Sequence, residues 1–283
     1  MSNLAKRVLS ALIIVPVLLY IFYRGGWLFV CLIELAILLG MNEYYRMTEE
    51  KGLMPKRLIG TAGALVIGGL AYFGRLDYMA IAITLLAMLV LVDQIRGMDI
   101  RTGITGSAVT LFGVFYIGWL LSHAVLLRFP ANHSEEMGLF FVILALAGTF
   151  LADAGAYFTG RAYGSRKLSP LISPGKTIEG ALGGIVVGTA GVLGAKLVFD
   201  WWILPGPGTQ MPFYHCLILG PVLVLFSISG DLFESMIKRD AGIKDSGNVI
   251  PGHGGIMDRL DSLLLAIPVT YYYLRYAVYG GLL

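Results

Sequence analysis

The chain has 283 residues, of which 57% are hydrophobic and 14% charged, and its mean hydropathy is +0.77. An ordinary soluble domain carries roughly 25% charged residues, so these values exclude a water-soluble globular protein and point to an all-α, polytopic membrane protein. The formal net charge of +3 is scattered through short loops, which gives nucleic-acid binding little support, and Cys31 and Cys216 both fall in apolar runs, which argues against a disulfide or zinc framework.

In chain order, apolar runs between charged or Pro/Gly breaks predict nine membrane helices, at residues 8–23, 27–45, 58–74, 78–92, 104–127, 138–160, 178–199, 213–237 and 260–279. The first run follows Lys6 and Arg7 as a signal peptide would. No small-x-small cleavage site follows it, and Arg24-Gly25-Gly26 leads straight into another span, so it is read as a retained helix. With the amino terminus in the cytoplasm, only Arg24, Arg75, Arg128, Lys196 and Arg275 fall on the outer side. The remaining 16 of the 21 lysines and arginines lie inside, a bias that sets this orientation and leaves the carboxyl terminus outside. Trp27, Trp201 and Trp202 then sit at outer helix ends, as interfacial anchors do.

Two loops stand apart from the short turns. Residues 161–177 and 238–259 are long, rich in Gly, Pro, Ser and charge, and cytoplasmic in this topology. Two spans feeding them carry acids. Asp153 lies in the sixth helix, and Asp231 and Glu234 lie in the eighth. Both aspartates precede a basic exit, at Arg161 and Lys238, by seven or eight residues, which places each about 10 Å below the cytoplasmic surface. Ionisable groups within a span are costly and functional by default, so this pairing points to a shared, water-filled pocket open to the cytoplasm. Asp231, Glu234, Ser235 and Lys238 share one helical face; the competing reading is a polar clamp between helices, a role also open to Glu34.

The second loop ends in Pro251-Gly252-His253-Gly254-Gly255-Ile256-Met257-Asp258-Arg259-Leu260-Asp261-Ser262, at the start of the ninth helix. Glycines let backbone approach a phosphate, and a helix start offers unpaired N–H groups. Asp258 and Asp261, one turn apart, are carboxylates of the kind that hold Mg²⁺ beside substrate phosphates, although a helix cap is the alternative for Asp258. His253 alone carries little weight, and zinc is disfavoured because no cysteine is near. In the first loop, Ser173-Pro174-Gly175-Lys176-Thr177-Ile178-Glu179-Gly180 contains GKT without the glycine spacing of a phosphate loop. Ser173, Lys176, Thr177 and backbone N–H groups are nevertheless suited to a nucleoside triphosphate, with Lys176 as a point charge; an N-cap with ordinary positive-inside charge is the competing reading. Gly180, Gly184 and Gly188 form small-xxx-small steps that permit close helix packing.

The pattern Ser235-Met-Ile-Lys238-Arg239-x4-Lys244-Asp245-x-Gly247-x2-Ile250-Pro251-x-His253-Gly254-Gly255-Ile256-x-Asp258-Arg259-Leu260-Asp261 resembles, without departure over its 27 positions, the signature of the CDP-diacylglycerol synthases, or phosphatidate cytidylyltransferases. The segment from Asp153 through Ser173, Lys176, Thr177, Glu179 and Gly180 is similar to that family's second motif; residues 1–130 match in hydropathy and approximate span count. The resemblance implies a homodimer of polytopic helices in the bacterial inner membrane that converts CTP and phosphatidate, a membrane lipid, into CDP-diacylglycerol and pyrophosphate with Mg²⁺. It allows a monovalent cation, K⁺, to share the metal site. Asp231 and Asp258 correspond to the family's metal-binding aspartates, with Asp153 and Asp261 as further candidate metal ligands. Lys238, Arg239 and Arg259 join the two aspartates as candidate catalytic groups acting on the pyrophosphate or lipid phosphate. Ser173, Lys176, Thr177, Glu179, His253, Gly254 and Gly255 are the expected nucleotide-binding residues. Residues 1–130 are then expected to form a scaffold of helices with a place for dimerisation, and residues 131–283 the catalytic half. A CTP-dependent lipid kinase is the nearest rival; an ion-coupled transporter is disfavoured by the lack of a visible internal repeat.

Overall fold

The computed structural model describes residues 3–97, 101–204, 208–247, 249 and 254–281. They are overwhelmingly helical, in the order α1 (Asn3–Arg24), α2 (Gly26–Glu50), α3 (Arg57–Ala71), α4 (Leu76–Arg96), α5 (Gly103–Gly113), α6 (Leu120–Arg128), α7 (Glu135–Tyr163), α8 (Ile178–Val198), α9 (Phe213–Asp240) and α10 (Met257–Tyr273). A π-helical turn, Val114–Trp119, joins α5 to α6 without a break, and similar turns extend α8 and α10. The apolar runs expected to span the membrane coincide largely with these helices, the fifth being divided among α5, the π-helical turn and α6, and the third, seventh and ninth running past the ends of α3, α8 and α10. Among the described residues, six helical stretches are long and apolar enough to cross a bilayer: Gly26–Glu50, Leu76–Arg96, Gly103–Arg128, Glu135–Tyr163, Ile178–Ile203 and Phe213–Asp240. Ile14–Arg24 and α3 are shorter apolar helices. The chain is an all-α, multi-pass membrane protein. Among the described residues the paired strands form an antiparallel hairpin, β1 (Lys167–Ser169) and β2 (Ser173–Thr177), inside the segment expected to be a loop.

The contacts divide the chain into two compact units, Met1–Leu126 with Lys238–Leu260, and Leu127–Ile237 with Asp261–Leu283. In the first unit α2 is central. Ile37, Met41, Tyr45 and Met47 are fully buried along it, and Ile67 of α3 and Ile117 join the same core. The Tyr45 hydroxyl donates to the Thr110 carbonyl at 3.1 Å, and the Lys56 N–H donates to the Thr110 hydroxyl at 2.8 Å, which ties the end of α2 and the following turn to α5. Gly60 exists to admit the Tyr45 phenol, because a Cβ there would overlap it. Glu34 packs against Gly68 of α3, and among the described residues neither of its oxygens has a hydrogen-bond partner.

In the second unit α7 and α8 run antiparallel with their backbones almost touching. A Cβ on Gly180 would stand 2.8 Å from the Ala156 carbonyl oxygen, one on Gly184 3.0 Å from that of Ala152, and one on Gly188 2.8 Å from that of Gly148. Lipid tails give apolar side chains little reason to prefer a neighbouring helix, so close backbone approach along small residues supplies the packing energy. The expected small-xxx-small stripe is therefore the α7–α8 seam. At the far end of α8 from the hairpin, the buried Lys196 ammonium pairs with Asp200, contacts the Thr209 hydroxyl and lies 4.3 Å from the centre of the Phe213 ring.

Gly188→Ala would place its methyl 2.5 Å from Val224 and 2.8 Å from the Gly148 carbonyl. Overpacking of this kind costs about 1–3 kcal/mol, so the variant is expected to lose several degrees of thermal stability in detergent. Gly194→Ala, which has nothing within 4 Å, should be neutral or slightly stabilising.

Candidate active site

The second unit holds a cavity of about 530 Å³ lined by Asp153, Tyr157, Arg161, Lys176, Thr177 and Asp231, among others. On α7, Asp153, Tyr157 and Arg161 stand at i, i+4 and i+8, so one helix face supplies the acid, the phenol and the guanidinium. Arg161 donates to the Tyr157 hydroxyl at 2.9 Å. The hairpin brings Lys176 to the same cavity, where its ammonium lies 2.5 Å from Asp231 Oδ2 of α9; both side chains keep about a quarter of their surface exposed. The Ser235 hydroxyl lies 3.3 Å from the other Asp231 oxygen, one turn along.

The hairpin is fixed by its own polar groups. The Glu179 carboxylate accepts from the Ser165 hydroxyl at 2.7 Å and from the Ser165 and Arg166 N–H groups at 3.1 and 3.2 Å. Thr177 caps α8, accepting from the Gly180 N–H at 3.1 Å, and the Ile178 N–H donates to the Arg166 carbonyl. Thr177 and Glu179 thus anchor the strand that carries Lys176. Ser173 opens β2 in register with Ser169.

The first unit holds a second carboxylate cluster, at the start of α10. Asp258 Oδ1 accepts from the Lys238 ammonium at 2.7 Å. Oδ2 accepts from the Gly255 N–H at 2.9 Å and the Ser246 N–H at 3.0 Å, with the Ser246 hydroxyl 3.1 Å away. Burial opposes the charge on Asp258, but the Lys238 hydrogen bond and the N–H groups of Gly255 and Ser246 outweigh it and hold the carboxyl below the ordinary range. Gly254 adopts φ +84°, and a Cβ there would stand 2.8 Å from Asp258 Oδ2, so glycine is required on both counts. Asp258 does not cap its own helix. That role falls to Glu43 of α2, whose carboxylate accepts from the Ile256 N–H at 2.9 Å and the Met257 N–H at 3.0 Å.

Arg239, in the last turn of α9, and Arg259, in the first turn of α10, are both exposed. Asp261 accepts from the N–H of its neighbour Ser262 at 2.6 Å. His253 lies outside the described residues. Sequence reasoning passed over Glu43, Arg46 and Ser246. Glu43 and Arg46 sit around the end of the second apolar run with no motif to flag them, and Ser246 occupies an open position of the signature.

Hard carboxylate oxygens in a partly apolar setting suit Mg²⁺, which takes one or two protein carboxylates and completes its shell with water and substrate phosphates. Among the described residues no three His, Cys, Asp or Glu side chains gather, so an all-protein cage is not formed there. Asp231, Asp258 and Asp153 offer the right donor chemistry, and the two lysines are cations of the size and charge that nucleotide phosphates attract.

A multi-pass helical membrane protein with lysine-paired carboxylates on two polar segments is the class these features define. Residues 5–277 match the model of the cytidylyltransferase family, and the chain belongs to that family of nucleotidyltransferases. It is 35% identical to the phosphatidate cytidylyltransferase of Synechocystis sp., over 95% of each chain. The protein of that name from Brucella suis is 34% identical over 96% of this chain and 93% of its own, and that from Bacillus subtilis 32% identical over 97% and 98%.

Removing the Glu179 carboxylate should free the hairpin turn. Glu179→Ala is expected to be cut by trypsin after Arg166 and Lys167 faster than the parent protein, a difference visible by gel within one digestion series.

Proposed function

We propose that this protein transfers the cytidylyl group of CTP to phosphatidate, forming CDP-diacylglycerol and pyrophosphate. The observation that carries this reading is the family match over nearly the whole chain together with a lysine-paired aspartate in each of the two motif segments. A phosphate oxygen of phosphatidate attacks the α-phosphorus of CTP, a new P–O bond forms, and the bond to the β-phosphate bridge breaks to release pyrophosphate. A phosphomonoester is largely dianionic near pH 7, its second pKa being about 6, so no strong protein base is required. The obstacle is the approach of one anion to another, and it is removed by neutralising charge. Lys176, Lys238, Arg239 and Arg259 are the proposed partners of the triphosphate and lipid phosphate. Asp231 and Asp258 are the proposed metal-binding carboxylates, with Asp153 and Asp261 as further candidates; Mg²⁺ would supply Lewis-acid neutralisation of phosphate oxygens.

The same reading places nine spans in a bacterial inner membrane, with the amino terminus and the active site on the cytoplasmic side. It makes the protein a homodimer and gives K⁺ a place beside Mg²⁺. The positive-inside bias supports the orientation.

Purified protein with labelled CTP, phosphatidate and Mg²⁺ should yield a liponucleotide and pyrophosphate; formation of a phosphorylated lipid and CDP would identify a lipid kinase instead. Asp231→Asn and Asp258→Asn should each lower turnover at least a hundred-fold, on the order of 3 kcal/mol of transition-state stabilisation, with insertion retained. Wild-type turnover in either would remove that aspartate from the metal site. Lys176→Ala should raise the KM for CTP.

A further inference from the structure

The loop that carries Asp258 is held from a helix some two hundred residues earlier in the chain. Glu43 is 2% exposed, and its carboxylate meets three donors: the Ile256 N–H at Oε1, and the Met257 N–H and the Ser246 hydroxyl at Oε2, the last at 2.8 Å. Arg46, one turn further along α2, donates to the Ser246 carbonyl at 2.9 Å. The backbone is shaped around this carboxylate. A Cβ on Gly247 would stand 2.5 Å from Glu43 Oε1, and one on Gly255 2.5 Å from Oε2. Both signature glycines therefore lie against Glu43, and Gly255 lies against the Ser246 hydroxyl as well.

The first N–H groups of a helix have no intrahelical acceptor, and a local side chain commonly supplies one. Here the acceptor comes from α2, which leaves the Asp258 carboxylate available for other partners. Ser246 couples the two acids, since its hydroxyl lies between Glu43 Oε2 and Asp258 Oδ2 and carries one proton to share. With Oδ2 held by Ser246 and Gly255, Oδ1 is the oxygen turned to Lys238.

We propose that Glu43 is a positioning residue for Asp258: through Ser246 and the first turn of α10 it sets the direction of Oδ1, and so tunes the affinity for the divalent ion and CTP. The inference rests on the assignment of Asp258 to metal and nucleotide made above.

The test uses the full-length protein in detergent and the variants Glu43→Gln and Ser246→Ala. Glutamine keeps the shape but must turn its NH₂ toward a donor, so the loop shifts while α2 stays packed. Glu43→Gln should raise the KM for CTP and the Mg²⁺ concentration for half-activation about ten-fold, the value of a lost charge-assisted hydrogen bond, with the KM for phosphatidate within about two-fold of wild type. Hydrogen exchange should quicken over residues 243–247 and 254–257 and stay unchanged over α3 and α4. Glu43→Asp, which retains the charge, should restore part of the CTP affinity. Unchanged CTP and Mg²⁺ constants would overturn the proposal, as would a parallel loss in all three substrate constants, the mark of a general packing role. If Glu43→Gln does not fold, Ser246→Ala carries the test: it should move the CTP and Mg²⁺ constants in the same direction, and wild-type constants would overturn the coupling. Should Asp258→Asn itself keep normal CTP and Mg²⁺ constants, the assignment of Asp258 fails first; normal Glu43 variants beside an impaired Asp258→Asn sink the positioning role alone.

Discussion

A carboxylate removed from bulk water is stabilised by hydrogen-bond donors or a cation, and the polar architecture of the two motif segments follows from that constraint, whereas Glu34 of α2 has no hydrogen-bond partner among the described residues. Glu43 receives two backbone N–H groups and a hydroxyl, Asp258 receives two N–H groups and an ammonium, and Asp231 receives an ammonium. Each donor has to be delivered by something rigid. The start of α10 delivers the N–H groups of residues 256 and 257, and a hairpin buttressed by Glu179 delivers Lys176.

The same economy shapes the apolar part. Glycine in this chain is placed where something must come close. Gly180, Gly184 and Gly188 admit the backbone of α7, Gly60 admits a tyrosine hydroxyl, and Gly247 and Gly255 admit a carboxylate. These are three different partners for one residue type. A glycine-rich signature therefore does not by itself indicate phosphate contact: Gly247 and Gly255 of the one found here lie against an internal carboxylate.

What could be read from the sequence follows from how far each interaction reaches along the chain. The helices were legible because hydropathy is a local property, and the α7–α8 seam because its small residues recur at the helical period within one segment. Asp231, Asp258 and Lys176 were legible as charges with no cheap place in an apolar chain. The hairpin was not, since β1 and β2 are three and five residues long and rich in Ser, Pro and Gly, without the alternation that marks a strand. Glu43 was hidden for a different reason. It lies near the end of an apolar run, where an acid normally meets headgroups, and its partners are 203 to 214 positions away. Nothing local distinguishes it from its neighbours Glu49 and Glu50, which are exposed or engaged in surface pairs.

The choice of lysine as counterion on both polar segments bears on the chemistry. Arginine would grip a carboxylate with two parallel donors and hold a fixed plane, whereas an ammonium is a compact charge that contacts one oxygen and swings on a flexible stem. Lys176 is paired to Asp231 through Oδ2 and Lys238 to Asp258 through Oδ1. Under the proposed function, breaking one such contact would leave a carboxylate oxygen for a metal and an ammonium for a phosphate. In the proposed reaction the nucleotide brings its negative charge together with a divalent cation. An arrangement of separable acids and bases accommodates both at once, whereas an interlocked arginine pair would have to be dismantled before either could bind.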